Sequence, residues 1–253
     1  MQKSLQKLHR LNLIAASLHA LQALAIILLA KNVTFPISVS YLSYNVATQS
    51  LEPASKVVYN LPLAWLIVIF FGLSAVFHTI VATVGRRRYE QDLKKGLNRF
   101  RWYEYSLSAS TMIVAIGILS GVYSLPTLVA LFALVMVMNL CGLVMEIHNQ
   151  TTTKTKWVSY IVGCIAGIVP WIVIGLYFWG ASQYGSGQIP TFVYWIYVSI
   201  FVLFNCFALN MFLQYKGWGP WKNYVFGEKV YIWLSLIAKS LLAWQVFFGA
   251  LRP

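Results

Sequence analysis

The stretch "YIWLSLIAKSLLAWQVFFGA", residues 231–250, is long and apolar enough to cross a bilayer, yet Lys239 stands near its middle. A lone lysine at that depth costs about 2.5–3.5 kcal/mol on insertion scales. An amine retained there needs a partner or a use.

The surrounding chain makes the membrane reading general. Of its 253 residues, 59% are hydrophobic and only 10% charged. A soluble domain needs more charged surface than that. Seven windows are apolar enough to span, near 11–30, 59–84, 102–124, 126–147, 158–180, 190–215 and 230–250. They predict an all-α membrane protein in which residues 1–253 form one seven-helix domain. The "SLP" turn at Ser124–Pro126 separates the third and fourth windows and predicts a tight helical hairpin. The basic start "MQKSLQKLHR" runs straight into the first span with no cleavage-type site, so no signal peptide is expected. Cys141, Cys164 and Cys206 fall in apolar segments and read as small hydrophobes.

The net charge of +13 invites a nucleic-acid partner. Its distribution points to loops facing anionic lipid instead, and no nucleic acid is expected. Lys3, Lys7, Arg10, the loop cluster Arg86, Arg87, Arg88, Lys94, Lys95, Arg99 and Arg101, then Lys154, Lys156, Lys216, Lys222 and Lys229 fall on one side. Lys31, Lys56 and Arg252 fall on the other. The positive-inside rule then predicts a multi-pass cell-membrane protein with the N-terminus inside and the C-terminus outside. Arg99 and Arg101 are expected to snorkel from the start of the third span. The long outer connection, 31–58, contains "VTFPISVSYLSY", where Ile37, Val39 and Tyr41 alternate with polar neighbours. With "SKVVY" at 55–59 as partner, it predicts a short β-hairpin able to cap the helices or pair with another subunit.

Ionisable groups inside spans are rare and mark function by default. Here they are His19, His78, Glu104, Glu146 and Lys239. A rise of about 1.5 Å per residue puts Lys239, His19 and His78 roughly 10–13 Å from the basic face, and Glu104 shallower at about 5 Å. Side chains lean toward their helix N-terminus, which brings Lys239 down toward Glu104. Two readings of the pair stand: a fixed ion pair that sets helix packing, or an amine that condenses with an aldehyde into a Schiff base balanced by Glu104. Ser235 lies one turn before Lys239 on the same face, able to meet the amine or to bond its own backbone. His78 is placed to relay a proton; His19 reads equally as a relay or a core histidine. Glu146 reads as an interfacial anchor beside His148. Trp102, Trp157, Trp179, Trp218 and Trp221 fit an interfacial belt, and Trp171, Phe204 and Trp233 fit core packing.

A lysine midway along the seventh span is the rhodopsin arrangement. "SLIAK" (235–239), "RWYEYSLSAS" (101–110), the inside N-terminus and the long first outer loop together resemble heliorhodopsin over essentially the whole chain. The resemblance implies all-trans retinal on Lys239, Glu104 as counterion, Ser235 beside the linkage, and His19 and His78 in a proton-accepting polar cluster. Glu146 matches a further family carboxylate. Tyr105, Ser108, Met138 and Phe204 are expected at the chromophore. The resemblance further implies a homodimer joined in part by the hairpin, and a slow photoreceptor acting on a cytoplasmic signalling partner. A light-driven transporter is the competing reading; it is disfavoured because no carboxylate lies in the outer half of any span. A pigment-free transporter or scaffold with a buried Lys–Glu pair is the third. No nucleophile motif, phosphate loop or metal-ligand spacing points to an enzyme.

Overall fold

The computed structural model describes residues 2–185, 187 and 189–253. Helix α1 spans Gln2–Leu29. It starts well before the apolar run, because Leu5, Leu8, Asn12, Ala15, His19, Ala23 and Ile26 continue one stripe at three- and four-residue spacing, and that stripe is buried. Two polar residues, Asn12 and His19, thus belong to its inward face.

Strands β1 (Thr34–Asn45) and β2 (Ser50–Pro62) pair antiparallel, with Thr34 opposite Pro62 and Asn45 opposite Ser50. The expected hairpin is present and longer than expected. Residues 59–62, read from hydropathy as the start of a span, end the second strand instead. Of the alternating Ile37, Val39 and Tyr41, only Ile37 is buried, so the ribbon projects beyond the bundle. Its base is stitched down by backbone bonds: Ser38 N to Tyr123 O (2.9 Å), Leu63 N to Val33 O (2.9 Å) and Lys31 N to Leu251 O (2.8 Å).

Helix α2 covers Leu63–Ala82, and a short helix α3, Arg86–Lys94, lies in the basic loop. Tyr89, Asp92 and Leu93 turn inward from α3, and Tyr89 and Leu93 pack with Leu5, Leu8, Val81, Val225 and Ile232. Helix α4 (Arg99–Leu119) starts earlier than its apolar window because Asn98 caps it, accepting from Arg101 N at 3.1 Å. The turn to α5 (Leu125–His148) lies at Ser120–Ser124; Pro126 sits inside the first turn of α5, where its missing N–H costs nothing. Helix α6 is Val158–Tyr184, and α7, Thr191–Lys216, stops at Gly217 with φ of 62°. Helix α8, Tyr224–Val246, is capped by Asn223 and ends in a π-type turn at Phe247–Leu251.

Among the described residues, six of the seven long helices are apolar enough by composition to cross a membrane. The exception is α4, whose Arg101, Glu104, Ser106, Ser108, Ser110 and Thr111 are buried by its neighbours. Backbones pack closely in the order α5, α4, α2, α1, α8, α7, and α6 packs on α5. Helices α6 and α7 meet instead through side chains, Trp171 against Tyr197, Phe201 and Phe204, and Phe178 against Tyr194. Trp233, expected in the core, is half exposed toward lipid. The three cysteines are free.

Candidate functional site

Lys239 and Ser235 share one face of α8, and the Lys239 Nζ donates to Ser235 Oγ at 2.6 Å and to Glu104 Oε1 at 3.0 Å. Ser74 of α2 donates to the same carboxylate oxygen at 2.6 Å. Lys239 and Glu104 are each only 3% exposed. The ammonium lies 5.1 Å from the centre of the Tyr105 ring, whose hydroxyl is spent on the carbonyl of Tyr231 at 2.9 Å. Ser108, one turn beyond Glu104, is fully buried, and its Oγ has no hydrogen-bond partner among the described residues. Helix α4 starting at Arg99 places Glu104 deeper than its apolar window implied.

His19 and His78 stack beside this pair, ring centres 5.7 Å apart. His78 Nδ1 lies 2.7 Å from Asn12 Oδ1. Among the described residues, His78 Nε2 and both nitrogens of His19 lack partners.

One turn nearer the basic face lies a second buried charge cluster. Arg101, expected to snorkel, is buried instead; it bonds Glu146 and Glu228 and lies against the rings of Trp102 and Tyr231. Glu146, read from sequence as an interfacial anchor, is 1% exposed and also accepts from Asn98 N (2.9 Å), Trp102 Nε1 (2.7 Å) and the Tyr224 hydroxyl (2.9 Å). Trp102 therefore belongs to this cluster and not to an interfacial belt. Glu228 accepts from Asn98 Nδ2 at 2.6 Å. With two acids and one base fully desolvated, every donor counts, because an unpaired ion left there would cost several kcal/mol. A chamber of about 30 Å³, large enough for one or two waters, joins the two clusters; His78, Glu104, Arg101, Tyr105 and Glu228 line it.

On the far side of Tyr105 a cavity of about 340 Å³ lies between α4, α5, α6 and α7. Met138, Trp171, Phe204 and Phe207 line it, with Gly142, Gly163 and Gly167. The glycines make the space: a Cβ at Gly142 would collide with the Trp102 ring, and one at Gly167 with the sulfur of Met138. The cavity is of the size and lining that hold an apolar ligand. Tyr105 is the wall it shares with the amine, since Lys239 is turned toward Glu104 and does not itself line it.

The chain matches the heliorhodopsin family over residues 8–251. It belongs to that family. No curated protein matches it. Membership makes it a seven-helix rhodopsin-type membrane protein, with α4 counted among the spans, and implies a retinal chromophore. A desolvated amine with one carboxylate, across Tyr105 from an aromatic-lined cavity, suits an aldehyde-bearing apolar ligand. Of the site residues expected from sequence, Lys239, Glu104, Ser235, His19 and His78 converge at the pair, Met138 and Phe204 line the cavity, and Tyr105 lies between. Sequence reasoning missed Asn12, Ser74, Asn98, Arg101 and Glu228. Glu228 and Arg101 left a signal, each a charge one or two residues before an apolar window.

Proposed function

We propose that this heliorhodopsin is a light sensor carrying all-trans retinal on Lys239, with Glu104 as its counterion. When bound, retinal supplies a light-absorbing polyene and an aldehyde that condenses with the amine, losing water, to leave a protonated imine nitrogen. The observation that carries this reading is the buried Lys239–Glu104 pair, 3.0 Å apart, separated from the aromatic cavity by Tyr105. A lysine at that depth is expensive. A fixed structural pair offers little in return, since hydrophobic replacements often hold as well.

Glu104 holds the positive charge in place, and Ser74 and Ser235 fix the geometry around it. The positive charge at Lys239 Nζ is relieved when its proton passes toward His78 and His19, the polar groups on its basic-face side. Met138 and Phe204 hold the polyene, and Tyr105 and Ser108 border the nitrogen. Signalling suits the chain better than pumping: among the described residues, no carboxylate lies within a span on the hairpin side of Glu104. We place the basic face, with the N-terminus, in the cytoplasm, where lysines and arginines favour retention and can meet an acidic signalling partner. The exposed hairpin side chains Leu42, Tyr44, Leu51 and Val57 suit a homodimer.

Adding all-trans retinal to the expressed protein tests this. A visible absorption band is expected, and Lys239→Ala abolishes it. No band, or a band that survives the substitution, overturns the reading. A light-induced pH change in a cell suspension would restore the pump.

A further inference from the structure

The hydrogen bonds of Asn12 settle more about His78 than its neighbours alone do. Asn12 Nδ2 lies 2.9 Å from the carbonyl of Leu8 and 3.5 Å from the Tyr89 hydroxyl. A carbonyl only accepts, so the amide atom facing Leu8 must be the nitrogen. Turning the amide over would set two oxygens against each other at that distance. Asn12 Oδ1 therefore faces His78 Nδ1, and at 2.7 Å an acceptor there requires a hydrogen on Nδ1. A neutral imidazole carries one such hydrogen, which leaves Nε2 with a free lone pair, buried and without a partner among the described residues.

Resting on the photoreceptor reading above, we infer that Asn12 is a positioning residue that fixes the tautomer of His78 and so makes its Nε2 the nitrogen that takes the proton released at Lys239. The groups around that nitrogen agree with the role. His19 from α1, Glu104 and Arg101 from α4, Glu228 and Lys239 from α8 and Tyr89 from α3 surround His78 or its chamber. Of these only His19 could compete as a neutral base, and no hydrogen bond among the described residues selects its tautomer. The transfer breaks one N–H bond at Lys239 and forms one at His78 Nε2, directly or across water in the chamber. Nδ1–H keeps donating to Asn12 before and after, so Asn12 need not move. Burial pushes the Tyr89 phenol up to about 12, so it stays protonated beside Asn12 throughout.

Histidine ¹⁵N spectra in the dark test this, with His78→Phe assigning the signal. Wild-type protein is expected to show neutral His78 with its hydrogen on Nδ1. Asn12→Leu shifts the population toward Nε2–H, and Asn12→Asp, which keeps an acceptor oxygen, retains Nδ1–H. In pigmented protein, Asn12→Leu slows loss of the Lys239 proton after a flash by about tenfold or more, the scale of a positioned proton acceptor. Nε2–H in the wild type, or a tautomer unmoved by Asn12→Leu, overturns the inference. Should the Asn12 variants fail to fold, the assigned wild-type spectrum decides. Retinal-free protein gives the same dark spectrum, so failure to form pigment would count against the proposed function and leave this measurement standing.

Discussion

Toward the basic face the bundle buries charge, whereas toward the hairpin it buries hydrocarbon. In the first region Asn12, His78, Asn98, Arg101, Glu104, Glu146, Glu228 and Lys239 are all withdrawn from solvent. In the second, Ile113, Ile116 and Ile118 of α4 meet Leu128, Leu131 and Val135 of α5 and Leu242 and Val246 of α8 within one apolar core. Lipid tails are as apolar as leucine, so that core gains from close packing and little from leaving water. It holds helices at fixed spacing and responds to no proton. The charged region has directed bonds whose strengths change when one proton moves. Stability and responsiveness are therefore assigned to opposite ends of the same helices.

The sharpest way to break this contrast is Arg101→Leu. It strands two buried carboxylates, and a loss of about 3–5 kcal/mol is expected in thermal unfolding of the retinal-free protein. A loss below about 1 kcal/mol would mean that the acids were already neutral. Leu131→Ala in the apolar core should cost about 2–3 kcal/mol through the cavity it leaves, while the visible absorption maximum stays fixed. A colour change there would show that the two regions are not separate. Asn98→Ala removes the α4 cap and a donor to Glu228; about 1–2 kcal/mol is expected, and Asn98→Asp should recover the cap part only. The smallest effect belongs to the hairpin tip. Hydrogen bonds from Asn45, then Thr48, hold the Glu52 carboxyl below its ordinary 4.5. A depressed value means that its contribution is present above about 4.5 and fades as pH falls through the lowered one. Amide exchange at Ala47 and Thr48, both bonded to Asn45, should quicken only under acid; exchange independent of pH after correction for intrinsic rates would discount Glu52.

The seven spans, the hairpin and the Lys239 cluster were legible because an ionisable side chain inside an apolar run stands out, and helical rise turns its position into a depth. The inward turn of Arg101, Glu146 and Glu228 was not, for a physical reason. Within two turns of a span end, a charge that snorkels and a charge that turns inward look alike in sequence. Which happens depends on α4 being surrounded by other helices, a matter of tertiary packing. Asn12 carries no charge and so raised no alarm, although its amide oxygen lies 2.7 Å from His78 Nδ1. Residues 86–94 read as a charged loop, because the two side chains that dock α3, Tyr89 and Leu93, are few among many charges.

Stitching the hairpin end by Ser38, Leu63 and Lys31 leaves the opposite end as the place where displacement can show. With about 1.5 Å per residue, the 28 residues of α1 make a rod of roughly 42 Å. Hinged where it is stitched, such a rod carries its free tip about 0.7 Å for each degree of tilt. A sub-ångström rearrangement midway along the rod is thereby magnified where Leu5 and Leu8 grip α3.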